Sequence, residues 1–539
     1  MTNQSDIHDK TLRLGWCIFA VIVFGFVLAI RIRLLGIPLE RDEGEYAYAG
    51  QLMLQGIPPY KLAYNMKFPG TYAAYAVIMS IFGQTIFGIH LGLLLVNSAA
   101  VALIFLLGRR LMDSTAGIAA ATSYAVLSMS PSVLGLAAHA TNFVIAPVLG
   151  GTLLILKVYD SGRSAFGRLF ASGLLFGLAV LMKQSGAFFV VFATIYLIVK
   201  ELHHGGKQTG LFPRILVFTA GVILPFGITC LLLWHAGVFR QFWFWTIDYA
   251  RQYGGIVPLD RAPEIFLQST KEVTGVSWPL WILAGVGAVA GLWHQRTRAN
   301  ATFLLGFLFF SALALCPGFY FRYHYFILVL PAVSLLVGAA TSKLSDLLAG
   351  RTIVVRYIPL LLLCATLSVP ILLERTLLFT LSPVDACRTI YPESPFAESV
   401  RIAEYVRAHT NLDDTIGVLG SEPQIYFYSR RHSATGYIYT YSLMEPQKYA
   451  QRMQEEMIHE IERARPMYLI SVVMYDSWLQ RPGSDRLIFN WANQYTAQEY
   501  GIAGFVNLVA PGHTDYYFGD VPQSVQQLGN YILIYERKS

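Results

Sequence analysis

The chain is poor in charged residues and in cysteine. Only 14% of its 539 residues are charged, whereas 55% are hydrophobic. A soluble globular domain carries roughly 25% charged residues, so this composition excludes that class and predicts a polytopic membrane protein. The five cysteines are too scattered for a disulfide framework or a Cys-x-x-Cys metal site; they are Cys17, Cys230, Cys316, Cys364 and Cys387.

The sequence also lacks the basic run with interleaved aromatic residues that is typical of a nucleic-acid groove. We therefore expect no nucleic-acid partner, despite a formal net charge of +7. Lys and Arg lie instead in short connectors between apolar segments, among them Arg109, Arg110, Lys200 and Lys343. The positive-inside rule places these connectors, and the N-terminus, on the cytoplasmic side.

Long apolar segments predict about eleven membrane-spanning helices. No small-residue cleavage site follows the first of them, so we expect an uncleaved helix rather than a signal peptide. Arg31 and Arg33 at its end are expected to contact lipid headgroups. By alternation, the connector 36–86 and the chain after about residue 374 lie on the outer side. The segments are 14–35, 87–108, 115–136, 142–158, 169–184, 186–199, 214–236, 276–293, 301–317, 324–340 and 355–373.

The predicted fold is mainly α: a polytopic helical bundle over residues 1–378, followed by an extracytoplasmic α/β domain over residues 379–539. Within the connector 36–86, two short helices are predicted to lie in the membrane interface. Beyond residue 379 the pattern alternates between helix and strand. The interfacial helices are 43–55 and 71–82; the outer domain has predicted helices at 396–410 and 445–464, and strands at 415–419, 468–473 and 531–535.

The most informative polar stretch is Arg41-Asp42-Glu43-Gly44-Glu45-Tyr46, just beyond the first apolar span. It puts three carboxylates at a membrane boundary. Ionisable groups there are costly unless they form ion pairs or take part in binding or catalysis. Further along, the same connector contains Met66-Lys67-Phe68-Pro69-Gly70, which places a cation on the same side. Carboxylates and a lysine that face one another there predict chemistry on a phosphate-bearing lipid.

The order of these elements resembles that of membrane glycosyltransferases of the protein-mannosyltransferase and lipid A aminoarabinose-transferase group, which share the GT-C fold. The resemblance is strongest over about 36–185 and continues more weakly through Arg322-Tyr323-His324-Tyr325-Phe326 to the outer domain. Its motifs are Asp42-Glu43 with Tyr46, Lys67-Phe68-Pro69, and a span that ends in Gly108-Arg109-Arg110-Leu111.

The resemblance implies a polyprenyl-phosphate sugar as donor, with Asp42 at the catalytic centre and Lys67 at the donor phosphate. Two departures concern a metal. The aminoarabinose enzymes carry a metal-binding glutamate just before this lysine, where the chain has Met66. Many relatives place an aspartate at the outer end of the fourth span, where the chain has His139-Ala140-Thr141-Asn142. The sequence therefore assigns no cofactor, and a divalent metal is retained as an alternative.

Sugar transfer from a lipid phosphate needs a base for the acceptor hydroxyl and positive charge for the departing phosphate. We expect Asp42 or Glu43 to be the base, since neighbouring carboxylates in a partly dry pocket push one pKa upward. The alternative role for this pair is to cap the interfacial helix and favour its dipole. The catalytic role is favoured for Asp42, on which Lys67 is expected to converge.

Four cations on the predicted outer side are candidates for binding the donor phosphate: Lys67, Lys183, Arg322 and His324. Together they could donate several charge-assisted hydrogen bonds. The alternative for each is snorkelling toward lipid headgroups. That alternative is weaker for Lys183, because it lies between two spans with almost no loop; the adjoining Gln184 is a candidate substrate-binding residue.

Three more residues are candidates for contacting substrate: Tyr46, His139 and Asn142. His139 and Asn142 lie in a tight outer turn and could orient sugar hydroxyls, although a satisfied polar turn explains them equally well. Tyr46 could stack on a sugar. An aromatic belt at the membrane interface explains most of its group, which comprises Tyr46, Tyr48, Tyr64, Tyr72 and Tyr75.

We therefore predict an inverting hexosyl- or pentosyltransferase of a bacterial inner membrane, with a lipid, polysaccharide or protein acceptor. Two other classes compete. A transporter or flippase of lipid-linked sugars should have ionisable residues near mid-membrane, often in paired halves, and a scaffold would not need Asp42, Lys67 and Lys183 to meet. The ionisable residues gather at one face and no internal repeat is present, which favours an enzyme.

Overall fold

The computed structural model describes residues 2–158, 165–203, 210–293, 298–510, 512–519, 521 and 529–538. The chain divides into two compact units, each built from separate stretches of sequence. The predicted division of the chain at 378/379 stays a prediction; one passage between the structural units falls close to it, after Thr380. Unit 1 comprises Met1–Leu34, His90–Thr229 and Leu259–Thr380, and unit 2 comprises Leu35–Ile89, Cys230–Pro258 and Leu381–Ser539.

The fold is mainly α, as predicted. Two π-helical turns, Phe244–Tyr249 and Thr376–Thr380, interrupt the regular helices. The α-helices up to residue 380 are α1 (Thr2–Arg33), α2 (Arg41–Leu54), α3 (Gly70–Phe82), α4 (Ile86–Leu111), α5 (Ser114–Leu127), α6 (Ala140–Leu156), α7 (Ala165–Met182), α8 (Ala187–His203), α9 (Leu211–His235), α10 (Phe239–Trp243), α11 (Ala250–Gly254), α12 (Ala262–Gly275), α13 (Trp278–Trp293), α14 (Arg298–Leu313), α15 (Leu330–Leu348), α16 (Ile353–Arg356) and α17 (Ile358–Leu373).

Each of the predicted apolar spans overlaps a helix, and the chain is a multi-pass membrane protein. Among the described residues, six segments are long and apolar enough to cross a membrane, and α12 with α13, bent by 106°, makes a seventh if the pair is one span. Shorter apolar helices include α5, α6 and α14. The six segments are Lys10–Arg33, Ile86–Leu111, Ala165–Met182, Gln184–His203, Leu211–His235 and Ile353–Leu373.

Helix α15 is the central helix of unit 1, since nearly every residue from Leu330 to Ser342 is buried. Glycines bring its neighbours close. A Cβ at Gly287 in α13 would overlap the Leu336 carbonyl oxygen, so the two helices meet at backbone contact. His324 lies in the 3₁₀ turn that immediately precedes α15, and the packed helix therefore fixes its position.

Arg31 does not point toward lipid headgroups, as the sequence suggested. It is 6% exposed, and its guanidinium donates to the carbonyl oxygens of Ser128, at 2.7 Å, and Gly135, at 3.3 Å. The carbonyl groups at the end of α5 lack intrahelical partners, and a buried guanidinium satisfies two such acceptors in the turn that follows. The arginine is therefore part of the core of unit 1.

The remaining elements, all in unit 2, are α18 (Pro383–Ile390), α19 (Phe396–Ala408), β1 (Thr415–Leu419), α20 (Gln424–Ser429), β2 (His432–Ser433), α21 (Tyr441–Met444), α22 (Ala450–Ala464), β3 (Tyr468–Val473), α23 (Tyr475–Trp478), α24 (Leu487–Glu499), β4 (Tyr500–Ala510), β5 (His513–Phe518) and β6 (Tyr531–Arg537). The strands form a mixed sheet in the order β2-β1-β3-β6-β4-β5. The first three strands are parallel, whereas β6, β4 and β5 pair antiparallel. The predicted strands β1, β3 and β6 are confirmed, and β2, β4 and β5 were not predicted.

Helices α2 and α3 are present close to the predicted positions, but α2 does not show the exposed face of a surface helix. Almost all of it, from Glu43 to Leu52, is buried within unit 2. One face packs on α3 and another on α20. Gly44 allows the second contact, because a Cβ there would lie 2.6 Å from the backbone nitrogen of Gln424. The helix that carries the acidic motif is thus packed between two other helices of unit 2.

Replacing Gly44 with alanine should destabilise unit 2 by about 1–3 kcal/mol, because the new methyl group meets backbone rather than a movable side chain. The thermal melting midpoint of the purified chain in detergent measures this. Gly254→Ala is the matched control, since a Cβ at this helical glycine meets nothing within 4 Å. Equal midpoints for Gly44→Ala and wild type would contradict the packing described.

Candidate functional site

The N-terminus of α2 is held by a capping box between Glu40 and Glu43. The Glu43 N–H donates to the Glu40 carboxylate at 2.9 Å, and the Glu40 N–H donates to the Glu43 carboxylate at 3.2 Å. The expected capping role is thus filled by the side chains of Glu43 and Glu40. Burial, followed by the charges of Asp42 and Glu43, raises the pKa of Glu40 well above its usual value. The base role considered for Glu43 stays a prediction.

Asp42 and Lys67 meet in unit 2. The Lys67 ammonium donates to Asp42 Oδ1 at 2.8 Å and to Glu45 Oε2 at 2.7 Å. It also lies 4.6 Å from the centre of the Tyr46 ring. The side chains of Lys67, Asp42 and Glu45 are 22%, 15% and 1% exposed, so one cation joins a partly open carboxylate to a buried one.

Glu45 is the residue that the sequence interpretation missed. Besides Lys67, its carboxylate accepts from the Tyr72 hydroxyl at 2.6 Å and from the Asn65 amide at 2.8 Å. Asp42 and Glu45 are three residues apart on α2, a spacing that puts both on one helical face. This spacing could have identified Glu45, because two buried carboxylates on one helical face need a cation between them.

The charges of this cluster determine the protonation of Lys67. Burial by itself lowers the pKa of the ammonium, but Asp42 and Glu45 raise it, and the net pKa lies well above the ordinary value. Lys67 therefore stays protonated across neutral pH. Burial also raises the pKa of Glu45, and Lys67 opposes that shift. Removing one member of such a buried pair costs roughly 3–5 kcal/mol, so the cluster is also a structural element.

The C-terminal part of unit 2, within Leu381–Ser539, supplies two further contacts to this region. The Tyr439 hydroxyl donates to Asp42 Oδ1 at 3.4 Å. The Arg41 guanidinium pairs with buried Glu422 at 3.2 Å and donates to the Ser421 carbonyl at 2.6 Å. Nothing local in the sequence could identify these partners, because they lie almost 400 residues beyond the motif.

In unit 1, His139, His324 and Lys183 form a second cluster. The rings of His139 and His324 stack with 4.1 Å between their centres and 10° between their planes. Tyr325 packs edge-on against His324 at 4.8 Å, and the Lys183 ammonium lies 3.5 Å from the centre of the Tyr325 ring. Three predicted residues from different connectors are thus brought together.

The other predicted residues of unit 1 differ in exposure. Asn142 is buried in the first turn of α6, where its amide donates to the Ala137 carbonyl at 3.1 Å. Gln184 begins the short 3₁₀ turn after Lys183 and is half-buried. Arg322 is exposed, and its guanidinium lies 5.6 Å from the centre of the Tyr320 ring.

The tyrosines assigned to an aromatic belt are mostly core residues. Tyr46, Tyr48, Tyr72 and Tyr75 are between 0% and 2% exposed, whereas belt residues present their rings to the membrane interface. Tyr46 packs against Tyr72 and Tyr75 and faces the Lys67 ammonium. The belt interpretation is therefore wrong for these four, and the sugar-stacking role of Tyr46 stays a prediction.

The residues fit a divalent metal only in part. Met66 directly precedes Lys67, and a thioether is a poor ligand for cations that prefer oxygen. The imidazoles of His139 and His324 are suitable nitrogen ligands for zinc and similar ions. These two residues would hold such an ion, which would supply positive charge for a departing phosphate.

Comparison with known proteins supports the resemblance. Residues 67–234 match the family model of the dolichyl-phosphate-mannose-protein mannosyltransferases. The structure is similar to ArnT from Cupriavidus metallidurans bound to undecaprenyl phosphate, with a TM-score of 0.56 and 14% identity over 96% of this chain and 98% of that chain. No curated protein matches the sequence significantly.

Two structures from Archaeoglobus fulgidus are similar as well. The oligosaccharyltransferase in complex with zinc and sulfate has a TM-score of 0.55 and 14% identity, covering 93% of this chain and 73% of that chain. AglB in complex with an inhibitory peptide and a dolichol-phosphate has a TM-score of 0.54 and 12% identity, covering 95% and 75%. The comparisons confirm the predicted resemblance and, at these identities, show the GT-C fold.

Neutralising both carboxylates, Asp42→Asn with Glu45→Gln, should lower the pKa of Lys67, because burial is then opposed only by the smaller effects of Tyr46 and Tyr439. An amine-reactive reagent followed by mass spectrometry across a pH series measures this, since only the deprotonated amine reacts. Exposed Lys61 on the same connector is the internal control. Labelling of Lys67 at the same pH in the double variant and in wild type would contradict the electrostatic account.

Proposed function

We propose that this chain is an integral-membrane glycosyltransferase that moves a sugar from a polyprenyl-phosphate donor to an acceptor hydroxyl. The observation that carries the proposal is the Lys67 ammonium bonded to Asp42 and Glu45, at the start of the stretch that matches the mannosyltransferase model. The lipid phosphates bound to ArnT and AglB support a lipid-phosphate donor here.

The proposed reaction is a single displacement at the anomeric carbon. Asp42 accepts the proton of the acceptor hydroxyl, and the acceptor oxygen forms the new glycosidic bond. The bond between the anomeric carbon and the phosphate oxygen breaks, and its electron pair leaves with the polyprenyl phosphate. Lys67 stabilises the charge on that leaving group. Attack opposite the leaving group inverts the anomeric configuration.

The remaining roles are proposals from the sequence that the chemistry of the side chains supports. Lys183, Arg322 and His324 are assigned to the donor phosphate as cationic or ring N–H donors. Tyr46, His139, Asn142 and Gln184 are assigned to the sugar or the acceptor, with Glu43 as an auxiliary carboxylate.

The proposal extends to the class of transfer and its location. The enzyme is a hexosyl- or pentosyltransferase, and its acceptor is a lipid, a glycan or a protein. We place it in a bacterial inner membrane with its N-terminus cytoplasmic and its C-terminal domain extracytoplasmic. The distribution of Lys and Arg in the connectors supports this orientation.

Asp42→Asn should lower the transfer rate by about 10²–10⁴ through loss of the base, and Lys67→Gln by about 10²–10³ through loss of leaving-group stabilisation. Purified protein in lipid nanodiscs, a labelled polyprenyl-phosphate sugar and a panel of lipid, glycan and peptide acceptors provide the assay. Asp413→Asn and Lys61→Gln, at exposed positions of unit 2, are the matched controls and should retain wild-type rates.

Near-normal transfer by Asp42→Asn would refute the assignment of the base. Movement of the labelled donor across the bilayer without formation of a glycosidic product would instead identify a flippase. If the wild-type chain does not bind, transfer or translocate the donor, the result would favour the scaffold interpretation.

We propose that His139 and His324 hold a divalent cation. Elemental analysis of the purified chain should then show a bound transition metal that chelation removes, and His139→Ala should lower the metal content at least several-fold. His409→Ala, at an exposed position of unit 2, is the control. Equal metal content in the His139 variant and wild type, or none in either, would refute a metal at this pair.

A further inference from the structure

A cavity lies in unit 1 at the end of α15 that is remote from the histidine pair. It is bordered by the end of α4 and by α13, α14 and the second half of α15. Helix α15 begins at Leu330, close to His324, and Asp346 at the cavity lies about 24 Å further along the helix axis at 1.5 Å per residue. The cavity is therefore separate from the residues assigned to sugar transfer.

The lining of this cavity has an apolar part and a polar part. Gly287, Ala301, Leu304 and Leu336 are buried and form the inner, apolar wall. The volume is about 220 Å³, which is smaller than the roughly 300–1,000 Å³ of a pocket for a drug-sized ligand and suits a small polar headgroup. The polar lining residues are Asp113, Asn300, Ser342, Lys343 and Asp346.

Three of the polar residues hold the helices together. The Asp113 carboxylate caps α5 by accepting from the Ala116 N–H at 2.8 Å, and it also accepts from the Ser342 hydroxyl of α15. The Asn300 amide donates to the Leu111 carbonyl at the end of α4. These contacts connect four helices around the cavity, so its shape is fixed by the fold.

The other two polar residues, Lys343 and Asp346, carry opposite charges at the mouth of the cavity. Lys343 is half-buried and Asp346 is exposed. Their spacing of three residues puts them on one face of α15, with roughly 5–6 Å between their Cβ atoms. Within the residues that the structure describes, the two do not pair with each other or form another ion pair. The mouth therefore presents a cation and an anion side by side.

We infer that this cavity binds the headgroup of a phospholipid that carries a primary amine, of the phosphatidylethanolamine type. The Lys343 ammonium contacts the phosphate, and the Asp346 carboxylate accepts from the headgroup ammonium, which a short ethylene link separates from that phosphate. The acyl chains follow the apolar surface beside the cavity, where Val289 and Leu347 are 55% and 69% exposed. The inference does not depend on the proposed function.

The paired charges predict a preference among phospholipids. An anionic headgroup without an amine places negative charge beside Asp346 and is repelled. A choline headgroup has no N–H to donate to the carboxylate. The ethanolamine headgroup alone of these three satisfies both side chains, so the specificity resides in Asp346 and the general affinity for phosphate in Lys343.

Native mass spectrometry of the full chain in detergent tests this, with phosphatidylethanolamine, phosphatidylcholine and phosphatidylglycerol titrated separately. Wild type should bind the ethanolamine lipid roughly three- to tenfold more tightly than either of the others. Asp346→Asn should reduce that affinity to the level of the choline lipid, because the acceptor for the amine has lost its charge. Lys343→Gln should weaken the binding of all three lipids.

Two exposed residues of α12 in unit 1 provide matched controls, and Lys271→Gln and Glu272→Gln should keep the wild-type preference. Ala339→Leu, which narrows the cavity from α15, should weaken binding while the melting midpoint shows that the chain is folded. Equal affinity of wild type for the three lipids, a preference that survives Asp346→Asn, or unchanged binding by a folded Ala339→Leu variant would overturn the inference. If Ala339→Leu does not fold, the Asp346→Asn result is decisive, because that position is exposed.

Discussion

A lysine ammonium shared by two carboxylates one helical turn apart is the interaction on which the site in unit 2 depends. Charged groups are rarely buried unless they are paired and hydrogen-bonded, and here Glu45 is satisfied by Lys67, Tyr72 and Asn65 together. The partners come from α2, from the connector that follows it and from α3. The cluster therefore fixes the path of the chain from residue 42 to residue 72 as well as the chemistry of Lys67.

The helix that carries the carboxylates is itself fixed by the C-terminal part of unit 2, Leu381–Ser539. The capping box of Glu40 and Glu43 sets the first turn of α2. The pair between Arg41 and Glu422 ties that turn to the loop after β1, and Gly44 brings the helix into backbone contact with α20. A small rotation of α2 would move Asp42 and Glu45 relative to Lys67, so these contacts matter for the geometry of the site.

Hydropathy was sufficient to place the apolar helices, although in the part of the chain that the structure describes only six or seven of the eleven predicted spans are long and apolar enough to cross a membrane by themselves. The pairing of Asp42 with Lys67 followed from the cost of isolated charges at a membrane boundary. Glu45 was missed because its charge was counted without considering that it lies on the same face of the helix as Asp42. Tyr439 could not be found, since nothing in a single sequence links it to residue 42. The buried tyrosines and Arg31 were misassigned for one reason: residue type near a membrane does not distinguish a lipid-facing side chain from one packed in the protein core.

Our central proposal is that Lys67, held by Asp42 and Glu45, contacts the phosphate of a lipid-linked sugar donor. An experimental structure of the full chain in nanodiscs with bound polyprenyl phosphate tests this most directly. The account predicts a phosphate oxygen within hydrogen-bond distance of Lys67 Nζ. A phosphate bound elsewhere, without contact to Lys67, would contradict it.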